Sequence, residues 1–128
     1  MSTYINRISK NTQRQLKTKL EHELIAGRRY RESGLSLQTL AELLDTNRHY
    51  VSTVIATCYG CSFCTLLNKL RVNDAKRLMA STTGSKLSIE ETASVVGFAN
   101  RQSFHRAFTK QEGITPLQFK KNITKNNG

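Results

Sequence analysis

Two stretches of the chain, "LSLQTLAELLDTNRHYVSTVIATCYGCSF" (Leu35 to Phe63) and "LSIEETASVVGFANRQSFHRAFTKQEGITP" (Leu87 to Pro116), align residue on residue. Ser36 falls on Ser88, Leu37 on Ile89, Ala41 on Ala93 and Leu44 on Val96, each 52 positions apart. Past the turn the offset becomes 53, with Asn47 on Asn100, Val51 on Phe104, Val54 on Ala107, Ile55 on Phe108 and Gly60 on Gly113. One structural unit therefore occurs twice, with one extra turn residue in the second copy. Each copy reads as helix, tight turn, helix. Ser36 and Ser88 suit N-caps, Ser88 with Glu91 forms a capping box, and Asn47 and Asn100 cap the second helices. Leu40, Ala41, Leu44, Val51, Val54 and Ile55 face inward in the first copy, and the small Ala41 and Ala93 let paired helices cross closely. This is the pattern of a helix-turn-helix, whose first helix braces the second against a nucleic-acid groove.

The second helix of the second copy carries the strongest chemical signal. Phe104, Ala107 and Phe108 share one side; Arg101, Gln102, His105 and Arg106 share the other. That polar face holds no acid, and its side chains match base edges: Arg fits guanine and Gln fits adenine. The alternative for these four is solvation or phosphate contact, and for Arg106 a bracing role. The matching face of the first copy, Arg48, His49, Ser52, Thr53 and Ala56, is chemically milder. The second unit is thus expected to supply more direct base readout, and the first to lean on phosphates and DNA shape. Arg48, Asn47, Asn100 and Thr115 are the candidates for phosphate contact.

Working outward, "SFCTLLNKLRVNDAKRLMASTTGSK" lies between the copies, with Ser62 as cap and Phe63 to Ala80 as an 18-residue helix. At 1.5 Å per residue it spans roughly 27 Å, which with the width of the units approaches the ~34 Å turn of B-DNA. Its Lys69, Arg71, Lys76 and Arg77 divide among ion pairs, solvent and phosphate in proportions the sequence leaves open. Thr115, Pro116 and Gln118 start a closing helix whose Phe119 packs back onto the second unit. Upstream, "QRQLKTKLEHELIAGRRYRESG" has Leu16, Leu20, Leu24 and Ile25 at helical spacing, and its Arg28, Arg29 and Arg31 suit either the helix dipole or phosphate. The expected organisation is a flexible N-terminus over 1–12, a leading helix over 13–34, the first unit over 35–61, the connecting helix over 62–80, the second unit and closing helix over 87–121, and a flexible tail over 122–128.

Composition agrees. The 128 residues hold one Pro and no Trp, and 20 basic residues face 9 acidic ones, a net charge of +11 that points to a polyanionic partner. No apolar run approaches the ~18 residues that span a bilayer, and the first residues show no signal-peptide core, so a cytoplasmic, nucleoid-associated location without membrane contact is expected. Cys58, Cys61 and Cys64 form C-x2-C-x2-C but lack the fourth cysteine and proline of a bacterial iron–sulfur run, and Cys61 is expected to be buried. No metal or cofactor is expected. With three histidines and no acid partner beside His49 or His105, no catalytic residues are expected either.

The pieces "LSLQTLAELLDTNRHYVS", "LLNKLRVNDAKRLM" and "LSIEETASVVGFANRQSFHRAFTKQEGITPLQF" resemble the DNA-binding domain of the AraC/XylS family of transcriptional regulators over Leu35 to Lys121. The resemblance rests most on Gly97-Phe98, Phe104, Arg106-Ala107-Phe108, Gly113 and Thr115-Pro116. It implies an all-α fold of about seven helices, in which two helix-turn-helix subdomains are joined by a long connecting helix. It also implies base contacts from His49, Ser52 and Thr53 in the first unit and from Arg101, Gln102, His105 and Arg106 in the second. The implied function is sequence-specific binding of double-stranded promoter DNA. RNA polymerase and an N-terminal sensory or receiver domain are the further partners it implies. The first unit departs from the family at Asp45, where Gly is usual; Asp enters the left-handed region at some cost. The competing readings are a non-specific nucleic-acid-binding protein and, more remotely, a thiol- or metal-responsive sensor.

Overall fold

The computed structural model describes residues 8–127, with side chains described through Thr124. Seven α-helices and no strands are found among them: α1 Lys10–Leu20, α2 Leu37–Leu43, α3 Arg48–Tyr59, α4 Phe63–Ala80, α5 Ile89–Val96, α6 Arg101–Glu112 and α7 Pro116–Asn127. The chain divides into two compact units, Met1–Arg29 with Leu35–Leu67, and Tyr30–Gly34 with Asn68–Gly128. The division falls inside α4, after Leu67.

In the first unit Leu16, Leu20 and Leu24 of the leading segment are buried, as are Leu40, Ala41, Leu44, Val51, Val54 and Ile55 of the helix-turn-helix. Helix α1 packs on α3, and the Tyr59 hydroxyl donates to the Glu21 carboxylate at 3.0 Å. The expected caps form: Ser36 accepts from the Thr39 N–H at 3.0 Å, and Ser62 from the Thr65 N–H at 3.2 Å. Asp45 adopts φ +55, the left-handed conformation that its counterpart Gly97 adopts with φ +112.

The second unit is built on aromatic rings. Phe98 lies 5.3 Å from Phe104, Phe104 5.6 Å from Phe108, and Phe108 5.4 Å from Phe119, centroid to centroid, in tilted and edge-to-face pairs. Val72, Ala75 and Met79 of α4 and Ile89, Ala93 and Val96 of α5 complete that core. The capping box at Ser88 is made, with the Ser88 side chain accepting from the Glu91 N–H and the Glu91 carboxylate accepting from the Ser88 N–H. Those bonds hold the Glu91 carboxyl below its ordinary value.

Three expected boundaries are corrected. The leading helix starts at Lys10, inside the stretch expected to be flexible, because Ser9 caps it and Ile8 is buried beside it. The expectation for 1–7 and for residue 128 lies outside the described residues. The helix also does not continue to 34: it passes into a π-helical turn, Glu21–Ala26, and stops at Gly27, with Arg28 left-handed and a 3-10 turn over Arg29–Arg31. The closing helix runs on to Asn127 where a tail was expected from 122, because Ile123 follows Phe119 by one turn and packs with it on the core.

Candidate nucleic-acid interface

Helices α3 and α6, the second helices of the two copies, begin alike. Asn47 and Asn100 are extended, and their side-chain oxygens accept from the N–H groups of Tyr50 at 2.9 Å and Ser103 at 2.8 Å. Neither first turn contains an acid, so the positive helix end meets no carboxylate of its own helix. With the oxygen engaged, the amide nitrogen of each exposed Asn remains as a donor. Thr115 is half-buried and takes part in a reciprocal cap, accepting from the Gln118 N–H at 3.1 Å while the Gln118 side chain accepts from its own N–H at 2.9 Å.

The structure places Arg101, Gln102, His105 and Arg106 together. All four are exposed and line one shallow depression, while Phe104 and Phe108 on the opposite side of α6 are fully buried. Arg106 also borders an adjoining hollow with Ser103, Lys110 and Asn68. Arg101 Nη1 sits 3.5 Å from a carboxylate oxygen of Glu90 at the start of α5.

The face of α3 is less open than expected. Arg48 and His49 are exposed, and Ser52 is half-buried at the edge of an apolar groove that it lines with Leu37, Ala56, Cys61 and Cys64. Thr53 is a correction. It is only 8% exposed, and its hydroxyl donates to the His49 carbonyl at 2.9 Å. Its position aligns with the exposed Arg106, at the border of the buried arc. A long cation at that border reaches water, whereas a short hydroxyl satisfied by its own helix stays inside.

Four basic residues of the linker and connecting helix have defined partners. Arg71 is buried; its Nε donates to the Tyr30 carbonyl at 2.6 Å and its Nη2 to the Glu32 carbonyl at 2.9 Å, and its guanidinium lies 5.6 Å from the Phe98 ring centroid. Arg31 binds Asp74 through two bonds of 2.7 and 3.1 Å, Arg77 adds a third, and Lys76 pairs with Glu112 at 3.0 Å. Burial alone would raise the Asp74 carboxyl, but the bonds from Arg31 and Arg77 outweigh it and hold the group below its ordinary value. Arg31, a candidate for phosphate in the sequence, is thus a structural residue. The overlooked signal was Asp74 itself, the one acid in an otherwise basic helix.

Cys58 and Cys64 are exposed and Cys61 is half-buried rather than buried, all as free thiols. Its place just before the Ser62 cap leaves Cys61 at the groove edge. Among the described residues no three His, Cys, Asp or Glu side chains are placed to hold a metal, and no single helix is long and apolar enough to cross a membrane.

Residues 40–122 match a family model described as a helix-turn-helix domain. The raffinose operon transcriptional regulatory protein RafR of Pediococcus pentosaceus is 32% identical over 91 residues, 71% of this chain and 32% of that protein. The curated relatives are longer, and the matched segment spans 11% to 32% of their lengths. Among solved structures, the C-terminal domain of AraT, a response regulator from Geobacillus stearothermophilus, is 30% identical, with a TM-score of 0.68 over 91% of this chain and 88% of that one. The DNA-binding domain of AdpA, a global transcriptional factor solved with a target DNA, has a TM-score of 0.73 over 84% of this chain and 95% of that one. At 19% identity this last likeness speaks to the fold.

Proposed function

Because the chain belongs to the AraC-type helix-turn-helix family of transcription-regulator DNA-binding domains, we propose that it binds specific double-stranded sites and reads two neighbouring major grooves, α3 in one and α6 in the next. The family is one of regulators and not of enzymes. The observation that carries the reading is the open face of α6, where two arginines, a glutamine and a histidine converge on one depression without an acid of their own helix. Arg101 and Arg106 carry the guanine-type forks and Gln102 the amide that pairs with adenine, while His105 adds a donor or acceptor. In the first unit His49 and Ser52 approach bases, and Arg48 with the capped helix starts at Asn47 and Asn100 fixes the register on phosphates. Thr115 takes a supporting place at the start of α7. Neighbouring major grooves imply two boxes about one helical turn, ~34 Å, apart. The longer relatives support a role as the output part of a regulator whose other segments sense a signal, with RNA polymerase as a further partner and the cytoplasmic nucleoid as its place of action.

Selection of bound duplexes from a random pool at about 150 mM salt, where exposed charges are screened beyond ~8 Å, tests this reading. A two-box motif is expected, degraded mainly in one box by R101A and R106A. The net charge of +11 favours one rival, a sequence-blind binder: if no motif emerges and both substitutions weaken every duplex alike, the specific reading fails.

A further inference from the structure

Glu90 and Glu91 stand side by side in the first turn of α5, where both suit the positive helix end, but only one of them caps it. Glu91 closes the capping box with Ser88. Glu90 instead reaches α6, where its carboxylate lies 3.5 Å from Nη1 of Arg101, with the Arg101 side chain 55% and the Glu90 side chain 71% exposed. An isolated pair this exposed contributes little to folding, and a first-turn acid suits the positive end of α5 wherever its carboxylate points, so folding does not require Glu90 to meet Arg101. The pair stands beside the depression that Arg101 lines.

We infer that Glu90 is a positioning residue for base recognition: it holds the Arg101 guanidinium by Nη1 and so presents the opposite edge, Nε and Nη2, to a guanine in the DNA. The geometry follows from the shape of the group. A guanidinium offers its N–H donors in a fixed planar fork, and a side-on contact through Nε and Nη2 supplies the two parallel bonds that match the O6 and N7 of guanine. The same edge binds both carboxylate oxygens of Asp74 in the Arg31 pair within this unit. An arginine free to rotate loses rotamer entropy on docking and accepts phosphate as readily as a base; one tethered at Nη1 has lost part of that freedom before DNA arrives. Glu90 also sets a negative charge beside the reading face, which disfavours placing that face on phosphate alone. The inference rests on the proposed base-reading role of α6.

The test compares wild type, E90Q, R101A and the double variant in duplex selection and in titrations against the selected site and its single-base variants. R101A is expected to abolish a guanine preference at one position, by about tenfold or more. E90Q is expected to weaken the same preference at the same position by about two- to fivefold, the scale of an exposed charge pair. It should also bind unrelated DNA as well as wild type or better, and in the R101A background it should leave the base preferences unchanged. If E90Q tightens binding to all sequences alike and leaves discrimination intact, Glu90 is only a repelling charge and the inference is overturned. It is overturned as well if R101A alters no base preference, since nothing is then aimed. Absence of any motif in the wild type is a separate result, which removes the specific-binding reading and this inference with it.

Discussion

Asp74 is the residue on which the second unit's polar interior turns. Its carboxylate is 1% exposed and receives Arg31 and Arg77, while Arg71 beside it bonds the carbonyls of Tyr30 and Glu32. Replacing it with Asn removes the charge and strands the partly exposed Arg31. D74N should therefore cost about 2–3 kcal/mol in urea unfolding, at or just under the range for a broken buried pair because both arginines reach water. The folded carboxyl titrates below its unfolded value of about 3.9, so its contribution is present above that pH and is lost as the pH falls through the lower folded value. Acid titration of stability should show that loss in wild type and a flatter limb in D74N. Gly97 is equally constrained. A Cβ there would stand 2.6 Å from the Tyr30 carbonyl oxygen and 2.8 Å from Arg71 Nε, at φ +112. G97A should cost about 3 kcal/mol in thermal unfolding, whereas D45G, at the corresponding turn of the first unit, should gain about 0.5 kcal/mol by relieving a left-handed non-glycine residue.

At the scale of the element, α6 depends on its start. Asn100 closes the orphan N–H of Ser103 and, as proposed, faces a phosphate with its amide nitrogen. N100A should lower stability by about 1 kcal/mol, the usual cost of a lost N-cap, while N100D should keep the cap yet weaken DNA binding by placing a carboxylate where phosphate is expected. Equal binding by N100D and wild type would show that Asn100 is a cap alone. Helices α3 and α6 occupy matching places in the two aligned copies, and the face of α3 was expected to be the chemically milder one. The caps at Asn47 and Asn100 and the left-handed glycines at Gly60 and Gly113 are equivalent. The faces differ at Thr53 and Arg106, one buried and one exposed. An alignment transfers the angle of a side chain around the helix axis, but its length and polarity decide whether it reaches water.

For the whole molecule the governing quantity is charge. With +11 distributed over 128 residues, binding to any duplex should weaken steeply with salt, log K falling linearly with log of salt concentration. R48A should flatten that slope by about one unit and leave the base preferences as they were, the signature of a lost phosphate contact. A changed motif in R48A would move that residue into the base-reading set. What the sequence determined by itself was local or repeated. The N-caps at Ser36, Asn47, Ser88 and Asn100 and the apolar and basic sides of α6 follow from relations three or four residues long, and the duplication follows from matching one stretch to another at an offset of 52 or 53. What only the tertiary structure decided spans distant residues. Arg31 meets Asp74 across 43 positions, Arg71 meets the Tyr30 carbonyl across 41, and Glu90 reaches Arg101 from another helix. Spacing along a chain fixes which face a side chain shares, but the partner that neutralises a charge is set by which segments fold together. Arg31, Arg71 and Arg77 therefore became structural ties only when the second unit closed around Asp74.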